Sequence, residues 1–110
     1  EMCIRDRRIF HHRVTMNKEP FTEMDEDEVA SALTHILDER HLPVLIHCNK
    51  GKYRVGCVVG CIRRLQRWSH ISLLEEYARF AGEKMSDEEF IERFDLSRVK
   101  LDPVHCPSWL

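Results

Sequence analysis

The chain has 110 residues, 43% of them hydrophobic and 33% charged; that fits one domain or part of one, allows a packed core and argues against long disorder. The formal net charge is −2, yet residues 40–74 hold no Asp or Glu and seven Lys or Arg, so this stretch is +7 and the remainder −9. A basic segment inside an acidic chain points to a local anion site rather than to a surface that coats nucleic acid.

The five cysteines are odd in number and irregular in spacing. They argue against a secreted disulfide framework and for a reducing compartment, which we read as the cytoplasm. The longest apolar run, residues 57–62, includes Gly60 and is far too short to span a membrane. The start, Glu1-Met2-Cys3-Ile4-Arg5-Asp6-Arg7-Arg8, lacks the apolar stretch of a signal peptide. It does not open with an initiator Met, so a fragment is expected.

In chain order, residues 9–14 read as a short strand, ended by the turn chemistry of Asn17-Lys18-Glu19-Pro20. Residues 26–40 read as a helix with Val29, Leu33, Ile36 and Leu37 on one face and Glu28, Ser31, His35 and Glu39 elsewhere. Pro43 ends that region and opens Val44-Leu45-Ile46, whose continuous apolar character predicts a strand buried on both faces. A polar loop, residues 48–53, leads to a helix over about residues 54–68. Its buried side is Val55, Val58, Val59, Ile62 and Leu65; Arg63, Arg64 and Arg67 read as a solvated face, and Cys57 and Cys61 as core packing. Ser69 or Ser72 caps the next helix, which turns Leu74, Tyr77, Ala78 and Ala81 inward and stops at Gly82. Ser86 and Glu89 form a capping-box pattern for a last helix carrying Phe90, Ile91 and Phe94. The tail, residues 97–110, wraps the surface and docks Trp109; its His105-Cys106 dipeptide is followed by no arginine. Two strands are too few for a stable central sheet, so either the chain holds a further strand or N-terminal strands are missing, and the second is the preferred expectation.

The loop is the informative part. An apolar strand, a Gly-containing loop and a helix converge backbone N–H groups and a helix N-terminus on one point, where a phosphate satisfies them. In His47-Cys48-Asn49-Lys50-Gly51-Lys52-Tyr53-Arg54, Cys48 opens the loop and Arg54 closes it, with five residues between. A helix N-terminus and nearby cations lower a thiol's pKa, so Cys48 is placed to act as thiolate. The planar fork of Arg54 can hold two phosphoryl oxygens as charge spreads over them. Gly51 allows a tight bend, Gly56 lets the first helical turn pack near the loop, and His47 orients it. The chemistry implied is displacement at phosphorus by Cys48 and hydrolysis of the cysteinyl-phosphate.

These residues, continued by Val55-Gly56-Cys57, resemble the signature of the plant and fungal atypical dual-specificity phosphatases, a group within the cysteine-phosphatase superfamily whose members hydrolyse inositol pyrophosphates. Asn17-Lys18-Glu19-Pro20-Phe21 and Glu75-Glu76-Tyr77-Ala78-Arg79-Phe80-Ala81 resemble further segments of that group. Similarity runs over about residues 9–94. The resemblance implies an α/β, three-layer fold with a central sheet flanked by helices. It divides the chain into a non-matching segment 1–8, a partial phosphatase domain 9–96 and a tail 97–110. It assigns Cys48 and Arg54 as the catalytic pair. The substrate-binding set is Asn17, Lys18, His47, Asn49, Lys50, Gly51, Lys52, Tyr53, Val55 and Gly56. A general acid usually comes from a loop upstream of the cysteine. Glu19, Glu23 and Asp25 lie there; resemblance favours Glu19, and a surface carboxylate is an equal reading for all three. Three departures stand out. Val55 replaces the usual Ser or Thr, whose hydroxyl assists departure of the thiolate. Tyr53 replaces a common His, and Met16 replaces a Gly.

Lys18, Lys50 and Lys52 favour a substrate crowded with phosphates, such as an inositol pyrophosphate, unless the lysines simply point into water. A dual-specificity protein phosphatase acting on phosphoproteins is the alternative, as is a catalytically weak phosphate-binding fragment; a rhodanese-like sulfurtransferase is more distant. No cofactor or metal is expected, because Cys48 and Arg54 suffice. Nucleic acid is not an expected partner, and the oligomeric state is left open.

Overall fold

A computed structural model describes residues 2–4, 7–9, 26–47, 53–82 and 85–110. Strands β1 (Met2–Ile4) and β2 (Arg7–Ile9) pair antiparallel, with Met2 opposite Ile9. Four helices follow among the described residues: α1 (Glu26–Ile36), α2 (Tyr53–Leu65), α3 (His70–Ala81) and α4 (Met85–Arg93). Short 3₁₀ turns occupy Glu39–His41 and Leu96–Arg98.

Most of the helical expectations hold. The first turn of α1 is acidic, with Glu26, Asp27 and Glu28 at the positive end of the helix dipole. It ends sooner than expected, and the 3₁₀ turn takes over its last residues. Ser69 caps α3, its Oγ accepting from the Ser72 N–H at 3.2 Å, a cap of about 1 kcal/mol. Gly82 stops that helix at φ 80°, where any side chain would be strained, and its N–H reaches the Ala78 carbonyl at 2.9 Å. Leu73 rather than Leu74 is the fully buried leucine of α3. Ser86 lies inside α4 instead of capping it, since the helix already begins at Met85.

The strand expected at Val44-Leu45-Ile46 is not formed. Residues 44–47 carry no regular structure, and Leu45 is 86% exposed. A strand exists through its ladder, and the only sheet among the described residues is the β1–β2 ribbon. Ile46 alone leans on the core. Of the strand expected over residues 9–14, Ile9 ends β2 and the remainder lies outside the described residues.

Helix α2 is the hub and packs on the other three helices. Val29, Leu33 and Leu37 meet Cys57, Val58, Cys61 and Ile62 of α2, with Phe90, Phe94 and Val99 closing the cluster. Cys57 and Cys61 are fully buried, as their helical spacing implies. Leu73, Tyr77 and Ala81 form a second cluster with Ile91.

The arginines of α2 overturn the expectation of a solvated face. Arg63 binds Glu76 of α3 at 2.9 Å and lies over the Trp68 ring at 4.2 Å. Arg64 donates to the carbonyls of Ile91 and Phe94 at 3.0 and 2.6 Å, satisfying the C-terminal end of α4. Only Arg67 is exposed, at φ 63° where the helix has ended.

Besides Val99 in the core, the tail straps the helices together through its backbone and Arg98. Arg98 reaches Asp27 at 2.5 Å, the His105 carbonyl accepts from Glu39, and Gln66 donates to the Trp109 carbonyl at 3.2 Å. Trp109 docks through that carbonyl, and the residue remains 47% exposed.

Gly60 lets α2 approach α4. A Cβ there would stand 2.6 Å from Cδ1 and 2.9 Å from Cγ1 of Ile91, which is fully buried. Helix propensity favours Ala over Gly by ~1 kcal/mol, whereas overpacking costs about 1–3 kcal/mol. Overpacking should win, because Ile91 has no open side to move into. Gly60→Ala is therefore expected to lower the thermal midpoint. Combined with Ile91→Val, which removes Cδ1, the loss should fall short of the sum of the two single changes. A midpoint at or above the parent's contradicts this packing.

Candidate active site

Residues 44–47 run toward the loop and end in an exposed His47. On the far side α2 opens at Tyr53, so Arg54 is its second residue, Val55 its third and Gly56 its fourth. Tyr53 is exposed, while Arg54, Val55 and Gly56 are half-buried. The first turn of α2 carries no acidic side chain, so no carboxylate of that turn offsets the partial positive charge at the helix start. A half-buried guanidinium at the positive end of a helix suits an anion of high charge. Cys48, Asn49, Lys50, Gly51 and Lys52 lie outside the described residues, as do Asn17, Lys18, Glu19, Glu23 and Asp25. The structure thus brings Tyr53, Arg54, Val55 and Gly56 onto one helical turn.

Gly56 also meets α3, while its expected packing beside the loop involves residues outside the described ones. A Cβ at residue 56 would lie 2.7 Å from Cε2 and 3.0 Å from Cδ2 of Tyr77, so the glycine admits the α3 tyrosine against the first turn of α2. Tyr77 is 3% exposed and its hydroxyl donates to Oδ2 of Asp87, itself 8% exposed, at 2.5 Å. Burial, and then the bond to Asp87, push the Tyr77 hydroxyl's pKa up, so it stays a donor. Sequence reading placed Tyr77 on an inward face and missed Asp87. The available signal was that an inward tyrosine hydroxyl needs a partner.

The Cys61 thiol is pushed up to about 12 by burial, which makes it inert near neutrality. A groove on the other side of α1 is lined by Thr34, His35, Asp38, His41 and Arg98, among others, and does not include Arg54. Its polar groups are engaged: the His35 and His41 rings stack at 4.0 Å, and Arg40 grips Asp38 with both prongs. That grip holds the Asp38 carboxyl well below the usual carboxylate range. Among the described residues, no helix is long and apolar enough to cross a membrane.

A family model described as the tyrosine phosphatase family matches residues 4–110. The chain is 50% identical over 103 residues to inositol diphosphatase DSP1 of Oryza sativa subsp. japonica, covering 92% of this chain and 45% of that protein. It is 42% identical over 107 residues to the probable tyrosine-protein phosphatase DG1060 of Dictyostelium discoideum, covering 96% of this chain and 63% of that one. The core catalytic domain of the PP-IP phosphatase SIW14 from S. cerevisiae, solved with citrate, superposes with a TM-score of 0.69 at 40% identity, over 74% of this chain and 50% of that domain. The chain spans about half the length of the curated relatives it matches. The helices described above therefore follow the fold of a phosphatase catalytic core, and the chain belongs to the tyrosine phosphatase family.

Proposed function

We propose that the chain is a cysteine-dependent phosphatase that hydrolyses the phosphoanhydride of an inositol pyrophosphate. The observation that carries this is Arg54, half-buried on an acid-free first turn of α2, directly after the Cys48 loop sequence. The names of the rice and yeast relatives support the substrate class. The Cys48 thiolate attacks the terminal phosphorus; an S–P bond forms and the bond to the bridging oxygen breaks. The bridging oxygen leaves on the remaining phosphate, protonated by Glu19 or by solvent. Water then attacks the phosphocysteine, the S–P bond breaks, and inorganic phosphate departs. Arg54 holds two equatorial oxygens throughout, the loop from His47 to Lys52 supplies donors, and Lys18, Lys50 and Lys52 engage neighbouring phosphates. A phosphate leaving group is less basic than an alkoxide, so the reaction tolerates a weak general acid. A three-layer arrangement around a central sheet and a cytoplasmic location belong to the same reading, the latter supported by the odd, unpatterned cysteines.

The name of the Dictyostelium relative favours a second reading, a protein phosphatase. Phosphate release from a diphosphoinositol polyphosphate and from a phosphotyrosine peptide, each with Cys48→Ser as background, separates the two. The expected result is higher kcat/KM on the inositol compound, abolished in the variant. A preference for the peptide selects the second reading, and release unchanged by Cys48→Ser sinks both.

A further inference from the structure

We propose that Tyr77, held by Asp87, is a positioning residue for the loop–helix junction: its ring seats the first turn of α2 at Gly56 and so fixes where that turn, and Arg54 on it, stands. The proposal rests on the phosphatase reading above and adds a part that the reaction scheme does not use. Three ring atoms of Tyr77, Cε2, Cδ2 and Cζ, lie 2.7, 3.0 and 3.7 Å from where a Cβ of residue 56 would be. The ring therefore lies directly against the helix backbone two residues after Arg54. Space-filling alone does not explain the hydroxyl. A phenylalanine would fill the same volume without burying a carboxylate, and a buried polar pair is costly unless its geometry is well satisfied. Here the bond is short, at 2.5 Å, and it joins α3 to the first turn of α4. Tyr77 is thereby fixed from two helices while it bears on the third. Burial and Asp87 also keep the hydroxyl protonated, so the brace persists across the pH range in which a thiolate can act.

The experiment uses the whole chain and two readouts. One is the rate of iodoacetamide modification of Cys48 as a function of pH, resolved by peptide mass spectrometry, with and without inorganic phosphate; the buried Cys61, its pKa pushed up to about 12, gives little background. The other is kcat and KM on the inositol substrate, per folded molecule as judged by circular dichroism. Gly56→Ala is expected to weaken phosphate protection of Cys48 and to lower kcat on the order of 10²-fold, the scale of a misplacement of about 1 Å. Tyr77→Phe should move both readouts the same way by several-fold. Tyr77→Leu should partly rescue Gly56→Ala, because it removes the ring that the new methyl strikes. If both single variants shift only the thermal midpoint, and the Cys48 pH profile, phosphate protection and kcat stay at parental values, the proposal is overturned. Should Gly56→Ala fail to fold, Tyr77→Phe decides alone. A parent that turns over no substrate but is protected by phosphate loses the phosphatase reading, and the protection data still judge the positioning role. A parent with neither property overturns both.

Discussion

Arg54→Lys should lower kcat on the order of 10²–10³-fold, the usual loss when one preorganised transition-state donor is removed. Lysine keeps the charge and comparable reach, so the substitution tests geometry. A guanidinium offers two parallel N–H donors to two phosphoryl oxygens, whereas an ammonium is a compact point charge that satisfies one of them well. The difference should grow as charge spreads over the equatorial oxygens, and so appear in kcat more than in KM. Arg54→Ala should be worse, leaving the half-buried helix start without its side-chain cation. Neither change should alter folding much, because the residue is at an acid-free first turn and outside both buried clusters. Steady-state kinetics on a diphosphoinositol polyphosphate, beside thermal melts, make the check. A lysine variant within about threefold of the parent would remove Arg54 from the transition state, since one lost charge-assisted bond alone exceeds that factor.

The reach of sequence reasoning followed the range of the interactions concerned. The Cys48–Arg54 motif is local, and so are the Ser69 cap and the Gly82 stop, whose partners are three and four residues away. The burial of Cys57 and Cys61 follows from helical spacing. What failed was set by partners distant in the chain. Arg64 reads as solvated from its place on the polar side of the helix, yet its acceptors are carbonyls 27 and 30 residues onward. A guanidinium with five donors can serve a neighbouring helix end as readily as a carboxylate. Gly60 and Gly56 are each the point where α2 meets a large side chain of another helix, Ile91 or Tyr77, a partner that no local pattern names. The apolar run Val44-Leu45-Ile46 promised burial on both faces, and burial of that kind requires flanking strands that pattern alone does not supply. The acidic candidates, Glu19, Glu23 and Asp25, and most of the loop lie outside the described residues, so their roles stay with the proposal.

Val55→Thr is expected to change which step limits turnover. In the proposed scheme Cys48 leaves phosphorus as a thiolate, and a hydroxyl at residue 55 would donate to that sulfur as its charge returns. Val55 has the branched shape of threonine but no donor, so attack proceeds while hydrolysis of the phosphocysteine lags. The parent should then show a burst of about one phosphate-transfer event per enzyme, followed by a slow steady rate. Threonine keeps the volume and swaps one methyl for a hydroxyl. A hydrogen bond to a charged group contributes about 1.5–3 kcal/mol, which corresponds to roughly 10–10²-fold in the rate of the second step. The burst should shrink or vanish and kcat should rise, until attack or product release becomes limiting. Position 55 is half-buried near the start of α2, where an added hydroxyl is still reached by water or by a nearby carbonyl, so stability should change little. Rapid-quench measurement of leaving-group release in both proteins makes the comparison. Equal burst amplitudes and equal steady rates would show that sulfur departure does not limit the reaction, and that the valine is neutral to the chemistry.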